Sequence, residues 1–177
     1  KSITIDFGGY TYSVISPATG FPSPYSGSVV LHTEANGVSL YFKNGALKSD
    51  LNSPYVYTNN DITFEAFEID GYIRVFSDQT ITFKENVQIY SSDELDILVN
   101  ESGRVVIDGA EIKGTIGVAG TLVVDTGSVE TVENREQSEG TMTVLLAKTG
   151  ASIANIPYGY TWESYDDNYN KLVQTNV

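Results

Sequence analysis

The chain has 177 residues and a formal net charge of −13, from 23 acidic and 10 basic side chains. Its length indicates one domain, and its acidity opposes binding to nucleic-acid phosphates or to an anionic membrane surface. The absence of cysteine excludes disulfides, thiolate metal ligands and a cysteine nucleophile.

The composition favours strands over helices. The chain contains 12 Tyr, 7 Phe and 16 Gly, and aromatic residues favour strands while glycine favours corners. No run of 18 apolar residues predicts a membrane span, and no signal peptide is visible at the start of the sequence. We therefore expect an all-β domain that is not inserted in a membrane.

The first third of the chain, residues 1–54, predicts an irregular N-terminal β segment. Apolar alternation over residues 2–15 indicates two short strands around Gly8-Gly9. Residues 16–28 hold three of the five prolines and predict a loop. Two further strands and a turn are expected at residues 29–31, 38–42 and Lys43-Asn44-Gly45.

From Tyr55 onwards, short apolar runs alternate with turns. The first runs are residues 55–57, 62–67, 72–76, 80–83 and 87–90. Turn signals recur between such runs, including Glu85-Asn86, Asp108-Gly109, Thr126-Gly127 and Thr149-Gly150. Spacers this short suit both hairpins and solenoid corners, so they favour neither an antiparallel sandwich nor a parallel coil.

An internal repeat within residues 99–132 favours the parallel coil. Residues 103–108 align with residues 120–125, seventeen positions later, and Ile112 aligns with Val129. Repeats of roughly 20 residues, built from short strands and glycine corners, are typical of a β-solenoid. We therefore interpret residues 55–156 as stacked rungs.

The rungs are followed by a different kind of segment. A charged insert at residues 133–140 predicts a solvated loop, and residues 141–156 form a looser third copy of the repeat. The tail, residues 157–177, holds the only Trp and four Tyr. An uncapped solenoid end is an exposed strand edge, so we interpret this tail as an aromatic C-terminal cap.

Four stretches carry a resemblance: the opening ITIDFGGYTYSV, the two rungs SGRVVIDGAEIKG and AGTLVVDTG, and the ending ASIANIPYGYTWESYDDNYNKLV. They resemble the right-handed parallel β-helix domains, pectin-lyase-like in fold, of large bacterial surface and secreted proteins. The resemblance implies an extracellular or cell-surface location. It leaves the activity open, because this family includes polysaccharide lyases, glycoside hydrolases, autotransporter passenger domains, phage tailspikes and adhesins.

The fold that we predict is all-β and occupies residues 1–177 as one domain. It is a short, single-stranded, right-handed parallel β-helix (β-solenoid) of roughly six or seven rungs, with the irregular N-terminal segment and the aromatic cap at its ends. An antiparallel β-sandwich, of the jelly-roll or immunoglobulin-like type, is the alternative.

Carboxylates are the first candidates for chemistry. Hydrolysis of a glycosidic bond needs two carboxyl groups roughly 5–9.5 Å apart, and equivalent positions of neighbouring rungs lie about 4.8 Å apart. Asp108 and Asp125 meet this requirement in the repeat, although a corner role is the favoured interpretation. Asp166-Asp167 resembles the adjacent aspartates of hydrolases of this fold. The Gly-His-Gly and Arg-x-Lys segments that accompany those aspartates are absent, so a solvated cap is favoured.

Metal and base candidates are few. Three carboxylates within four residues are the candidates for calcium: Asp93, Glu94 and Asp96. Their spacing is not that of an EF-hand loop, so a solvated turn is favoured and no other cofactor is expected. The resemblance implies that a lyase would use a basic residue such as Arg74 or Arg104, but an acidic chain repels an anionic uronate. His32, the only histidine, makes no metal site or triad alone.

Exposed aromatic rings form platforms for sugars and anchors at protein interfaces. The tail concentrates such rings, and its candidates for ligand contact are Tyr158, Tyr160, Trp162 and Tyr165. Packing in the cap and the core is the favoured interpretation of these side chains.

The sequence shows rungs, corners and a cap, but no complete group of catalytic residues. This favours a non-enzymatic module. We expect a structural or adhesive part of a bacterial surface or secreted protein that contacts a glycan or a surface protein. The alternative is a carbohydrate-active enzyme, either a glycoside hydrolase or a lyase, or a remnant of one. A phage tailspike-like fragment is the second alternative; it should trimerise, whereas we expect a monomer rather than a trimer.

Overall fold

The computed structural model describes residues 1–14, 29–31, 37–49, 55–56, 60–75, 78–91, 94–135 and 142–175. These residues form strands and no helix, which confirms the all-β prediction. No helix in the described part of the chain is long and apolar enough to cross a membrane. The proline-rich loop at residues 16–28, most of the insert at 133–140, His32 and Asp93 lie outside the described residues.

The strands in chain order are β1 Ser2–Asp6, β2 Thr11–Val14, β3 Val29–Leu31, β4 Ser39–Ser49, β5 Tyr55–Val56, β6 Ile62–Asp70, β7 Ile73–Val75, β8 Thr80–Lys84, β9 Gln88–Tyr90, β10 Ile97–Val99, β11 Arg104–Val118, β12 Thr121–Asn134, β13 Thr143–Ala147, β14 Ala151–Asn155, β15 Tyr160–Ser164 and β16 Tyr169–Gln174.

Most strands pair in parallel with their equivalents in the next part of the chain, along three lines. The first line is β1–β4–β6–β8–β11–β12–β13. The second joins β2, β4, β6 and β9, and recurs as β11, β12 and β14. The third joins β7, β10, β11 and β12, and β3 pairs separately with β5. We call one passage of the chain through these lines a layer.

Two of the described pairs are antiparallel, β13 with β16 and β15 with β16, and both involve the tail. The other described pairs are parallel, which contradicts the antiparallel sandwich. The sequence repeat sets the register, since residues 104–107 pair with residues 121–124, and Ile112 pairs with Val129. The predicted offset of seventeen residues is confirmed for these positions.

A residue with positive φ stands at the corner between the first and second lines in successive layers. These corner residues are Gly8, Gly9, Asn44, Ala66, Asn86, Gly109, Gly127 and Gly150. Glycine adopts this left-handed region without a steric penalty, and Asn tolerates it. The turn signals that are spread along the sequence therefore mark the same corner in successive layers. Four strands, β4, β6, β11 and β12, continue across this corner as single strands.

The core is built from ladders of apolar side chains that stack from layer to layer. One ladder runs through Ile5, Phe42, Phe64, Phe83, Ile107 and Val124. The rings of Phe42 and Phe64 lie 5.7 Å apart, and those of Phe64 and Phe83 lie 5.8 Å apart. Each fully buried side chain of this size contributes roughly 1.5–3 kcal/mol, so these ladders are the main stabilising feature of the fold.

The tail forms a hairpin that closes one end of the stack. β16 pairs antiparallel with β13, and β15 pairs with β16. Leu172 of this hairpin is buried, and Tyr160 and Trp162 pack against the core. The last parallel layer is therefore covered by a segment that runs in a different direction.

Candidate functional site

Asp108 and Asp125 were expected at equivalent positions, but they are not in register. A bulge after Ile107 makes Asp108 pair with Thr126 instead, and the Thr126 hydroxyl donates to the Asp108 carboxylate at 3.3 Å. Asp125 accepts a hydrogen bond from the hydroxyl of Tyr169. The expectation that the two carboxylates occupy equivalent positions is therefore wrong. Asp108 serves a corner, which is the favoured interpretation above, and Asp125 holds the tail.

The aromatic candidates of the tail divide into two groups. Tyr160 and Trp162 pack against the core. Tyr158 is fully exposed and Tyr165 is more than half exposed, with the Lys171 ammonium 5.9 Å from the centre of its ring. Of the four, Tyr158 and Tyr165 thus offer the more accessible ring surfaces.

The Asp166-Asp167 pair lies in the turn between β15 and β16. Oδ1 of Asp166 accepts hydrogen bonds from the backbone N–H groups of Asn168 and Tyr169, each at 2.8 Å. Asp167 is exposed. This pair therefore forms the turn of the hairpin.

The acidic segment before β10 does not bring metal ligands together within the described residues. Glu94 is exposed and lies 3.9 Å from Arg135. Asp96 is partly buried and packs directly on the backbone of Gly114. A side chain at position 114 would not fit, because its Cβ would lie 1.6 Å from the Asp96 carboxylate. Burial raises the pKa of Asp96, and the nearby charge of Glu130 adds to that shift.

A cavity of about 410 Å³ lies beside the third line of pairing and contains two of the three arginines, Arg74 and Arg135. Arg135 donates to Glu133 at 2.8 Å, and Glu101 also lines the cavity. Arg104 lies on the first line at the start of β11, so the structure does not bring it to Arg74. Because carboxylates accompany the arginines, this cavity has no clear excess of positive charge for a uronate.

The larger groove, of about 650 Å³, lies on the second line between β9 and β11. β9 pairs with β6, and no described ladder joins β9 to β11. The two layers approach closely at the corner next to the groove, because a Cβ on Gly109 would lie 2.7 Å from Cγ of Glu85. The groove follows this corner along β9 and β11.

The lining of the groove is mixed: Val87 and Ile89 lie beside polar side chains and one exposed ring. Its polar side chains are Glu85, Asn86, Gln88, Glu111, Lys113 and Thr126. Tyr90 is 52% exposed, and its hydroxyl donates to Oε1 of Gln88 at 2.5 Å. Carboxylate, amide, ammonium and hydroxyl groups provide both donors and acceptors, and the volume suits a small-molecule ligand. The groove can therefore hold a ligand that is rich in hydroxyl groups.

Sequence reasoning did not identify this groove. It interpreted Tyr90 as a rung residue and Glu85-Asn86 as a turn, and no local spacing connects these residues to Glu111. The available signal was the recurrent corner, which places Glu85-Asn86 next to Asp108-Gly109 once the layers are aligned. The residues of the groove become neighbours only through this alignment.

Comparisons with known proteins complete the description of the site. No family model matches the chain, and neither the curated proteins nor the solved structures contain a significant match. The function is therefore inferred from the geometry and chemistry of the groove.

Proposed function

We propose that this chain is a right-handed parallel β-helix domain that serves as a non-enzymatic, adhesive or structural module of a bacterial surface or secreted protein. The three lines of parallel pairing support the coil, because a chain that returns to the same lines in successive layers winds around one core. The right-handed sense follows from the strong preference of parallel crossover connections. Its groove between β9 and β11 binds a neutral glycan.

The groove is the observation that supports glycan binding. The exposed ring of Tyr90 offers a flat apolar surface for a sugar, and Gln88 holds its hydroxyl. Glu85 and Glu111 accept hydrogen bonds from sugar hydroxyls, while Lys113 and the amide groups donate. Two carboxylates against one ammonium disfavour a uronate or a sulfated sugar, so the ligand is a neutral glycan.

The test is binding to a panel of immobilised neutral and uronic-acid oligosaccharides, followed by calorimetry with the best ligand. We expect binding to neutral members of the panel and an affinity loss of about tenfold or more in Tyr90→Ala, since a stacked ring contributes more than about 1.4 kcal/mol. Tyr12→Ala is the matched control, because Tyr12 is 50% exposed but lies outside the groove. Absence of binding, or equal losses in both variants, would contradict the proposal.

A second candidate function, a carbohydrate-active enzyme, is favoured by Asp96 alone. A glycosidase needs a carboxylic acid whose pKa is raised and a second carboxylate near it. Burial raises the pKa of Asp96, and Glu130 lies close enough to add to the shift. Release of reducing ends from the same oligosaccharides, abolished in Asp96→Asn and retained in Asp6→Asn, would support the enzyme. We expect no release by the unmodified chain.

A further inference from the structure

The inward apolar ladder on the second line of pairing is interrupted once in the middle of the stack. Ile69 pairs with Ile89, and Ile112 pairs with Val129, but no described ladder joins Ile89 to Ile112. Ile69, Ile112 and Val129 are at most 3% exposed. Ile89 packs against the core but is only partly buried. A core side chain is therefore accessible between two described layers.

The accessible surface of Ile89 lies in the groove between β9 and β11. Successive side chains of a strand point to opposite faces, so Gln88 and Tyr90 point outwards while Ile89 points towards the core. The exposure of these residues agrees, since Gln88 and Tyr90 are exposed and Ile89 is partly buried. The groove therefore has polar and aromatic groups at its rim and apolar surface beneath them.

Apolar surface within a polar groove favours a ligand that carries an apolar substituent. A sugar hydroxyl placed against Ile89 would lose its hydrogen bond to water and find no partner on that side chain. A methyl group at the same place would remove apolar surface of both molecules from water. The group that contacts Ile89 is therefore a methyl group rather than a hydroxyl group.

Two side chains of β11 indicate which kind of methyl group fits. Glu111 and Lys113 are exposed and line the groove; a carboxylate accepts hydrogen bonds and an ammonium donates them. The acetamido group of an N-acetylated amino sugar combines a methyl group with one N–H donor and one C=O acceptor, and it is uncharged. The methyl group of a 6-deoxy sugar carries neither a donor nor an acceptor, so it would leave Glu111 and Lys113 unused.

We propose that the groove selects an N-acetylated amino sugar through its acetamido group. This inference rests on the glycan binding proposed above and names the sugar that the groove prefers. The methyl group lies against Ile89, the N–H donates to the Glu111 carboxylate, and the C=O accepts from the Lys113 ammonium. The pyranose ring stacks on Tyr90 at the rim.

Calorimetry with three trisaccharides of the same linkage tests the preference. The ligands are the trisaccharides of N-acetylglucosamine, of glucose and of 6-deoxyglucose, which differ only in the acetamido group or in the terminal hydroxyl. We expect the N-acetylated ligand to bind at least about tenfold more tightly than the glucose ligand, because one apolar carbon in a matching pocket changes affinity by about 10–200-fold.

Ile89→Thr tests the contact with the methyl group, because threonine is similar in shape and replaces apolar surface by a hydroxyl. We expect the ratio of the two affinities, N-acetylated over glucose, to fall by at least about fivefold. Ile153→Thr is the matched control and should keep the ratio, since Ile153 continues the same ladder, is partly buried and lies outside the groove. Both ligands are measured on the same protein, so a smaller folded fraction does not change the ratio.

The outcomes separate this inference from the glycan binding on which it rests. Equal affinities for the N-acetylated and the glucose ligands would overturn the acetamido preference and leave the glycan site intact. Tightest binding of the 6-deoxy ligand, or an equal change of the ratio in Ile89→Thr and Ile153→Thr, would also overturn it. If no neutral oligosaccharide binds, the glycan site itself is wrong, and this inference with it.

Discussion

The two ends of the stack differ in how the apolar ladders stop. At the C-terminal end the chain leaves the three parallel lines, and the hairpin β15–β16 buries Leu172 and packs Trp162 against the core. At the N-terminal end the first layer keeps the parallel direction, and Ile3 and Ile5 are partly exposed. A parallel layer always presents another apolar surface, so a stack of this kind is closed only by a segment that breaks the pattern.

The largest expected change in the free energy of unfolding comes from glycine-to-alanine substitutions at the corner, compared between the two ends of the stack. Gly127 has φ +93°, and a Cβ there would lie 2.2 Å from the carbonyl oxygen of Ala110. Gly9 has φ +85° but has no other atom within 4 Å of the equivalent position. We expect Gly127→Ala to lower the free energy of unfolding by about 4 kcal/mol and Gly9→Ala by about 1–2 kcal/mol. Urea denaturation measures both; equal losses would show that the packing at these corners does not differ.

The next largest change in the free energy of unfolding comes from truncating an apolar side chain at each end of the stack. Leu172→Ala removes a side chain that is 2% exposed, whereas Ile5→Ala removes one that is 42% exposed. We expect losses of about 3 kcal/mol and below about 1.5 kcal/mol, respectively. Urea denaturation measures both. A larger loss in Ile5→Ala would mean that the end at β1 is covered.

A smaller effect concerns the bond that fastens the hairpin to the stack. The hydrogen bond to Asp125, followed by burial, raises the pKa of Tyr169. The stability that comes from the neutral phenol is therefore fully present below about pH 10 and is lost as the pH rises through the folded-state pKa. We expect Tyr169→Phe to lower the free energy of unfolding by about 1 kcal/mol at neutral pH.

The pH dependence provides the control for this variant. The unmodified chain should lose stability above about pH 10, and Tyr169→Phe should lose less over the same range. Thermal denaturation between neutral and alkaline pH compares the two chains. The same alkaline loss in both would show that the bond to Asp125 does not stabilise the hairpin.

The smallest effect is a gain in stability within the layers. Ala66 is the one corner residue among those described that is neither Gly nor Asn, and its φ is 49°. We expect Ala66→Gly to raise the free energy of unfolding by about 0.5 kcal/mol, because relief of the left-handed strain exceeds the entropic cost of glycine. Ala46→Gly, at a buried position outside that corner, should instead lower stability. A loss in both variants would contradict the role assigned to the corner.

The layers were predictable from the sequence because each layer repeats local chemistry. A glycine or asparagine at the corner and β-branched or aromatic residues on the inward face recur along the chain, and the offset between residues 103–108 and 120–125 set most of the register. The bulge at Asp108 was not predictable, since Asp108-Gly109 and Thr126-Gly127 look alike as turns. A shift of one residue was enough to pair Asp108 with Thr126 instead of Asp125.

The groove and the exposure of Ile3 and Ile5 depend on which layers become neighbours. Tyr90 and Glu111 belong to different layers, and they line one groove where no described ladder joins β9 to β11. Ile3 and Ile5 have the same alternation as buried strand residues, but within the described sheet β1 lies at the edge, and both side chains are partly exposed. Periodicity identifies an inward face but does not show which layer comes last.

Hydrogen exchange tests the difference between the two ends most directly. We expect β16 to exchange slowly, because it pairs with both β13 and β15, and β1 to exchange fast, because among the described strands it pairs on one side with β4. Equal protection of β1 and β16 would contradict this difference between the ends.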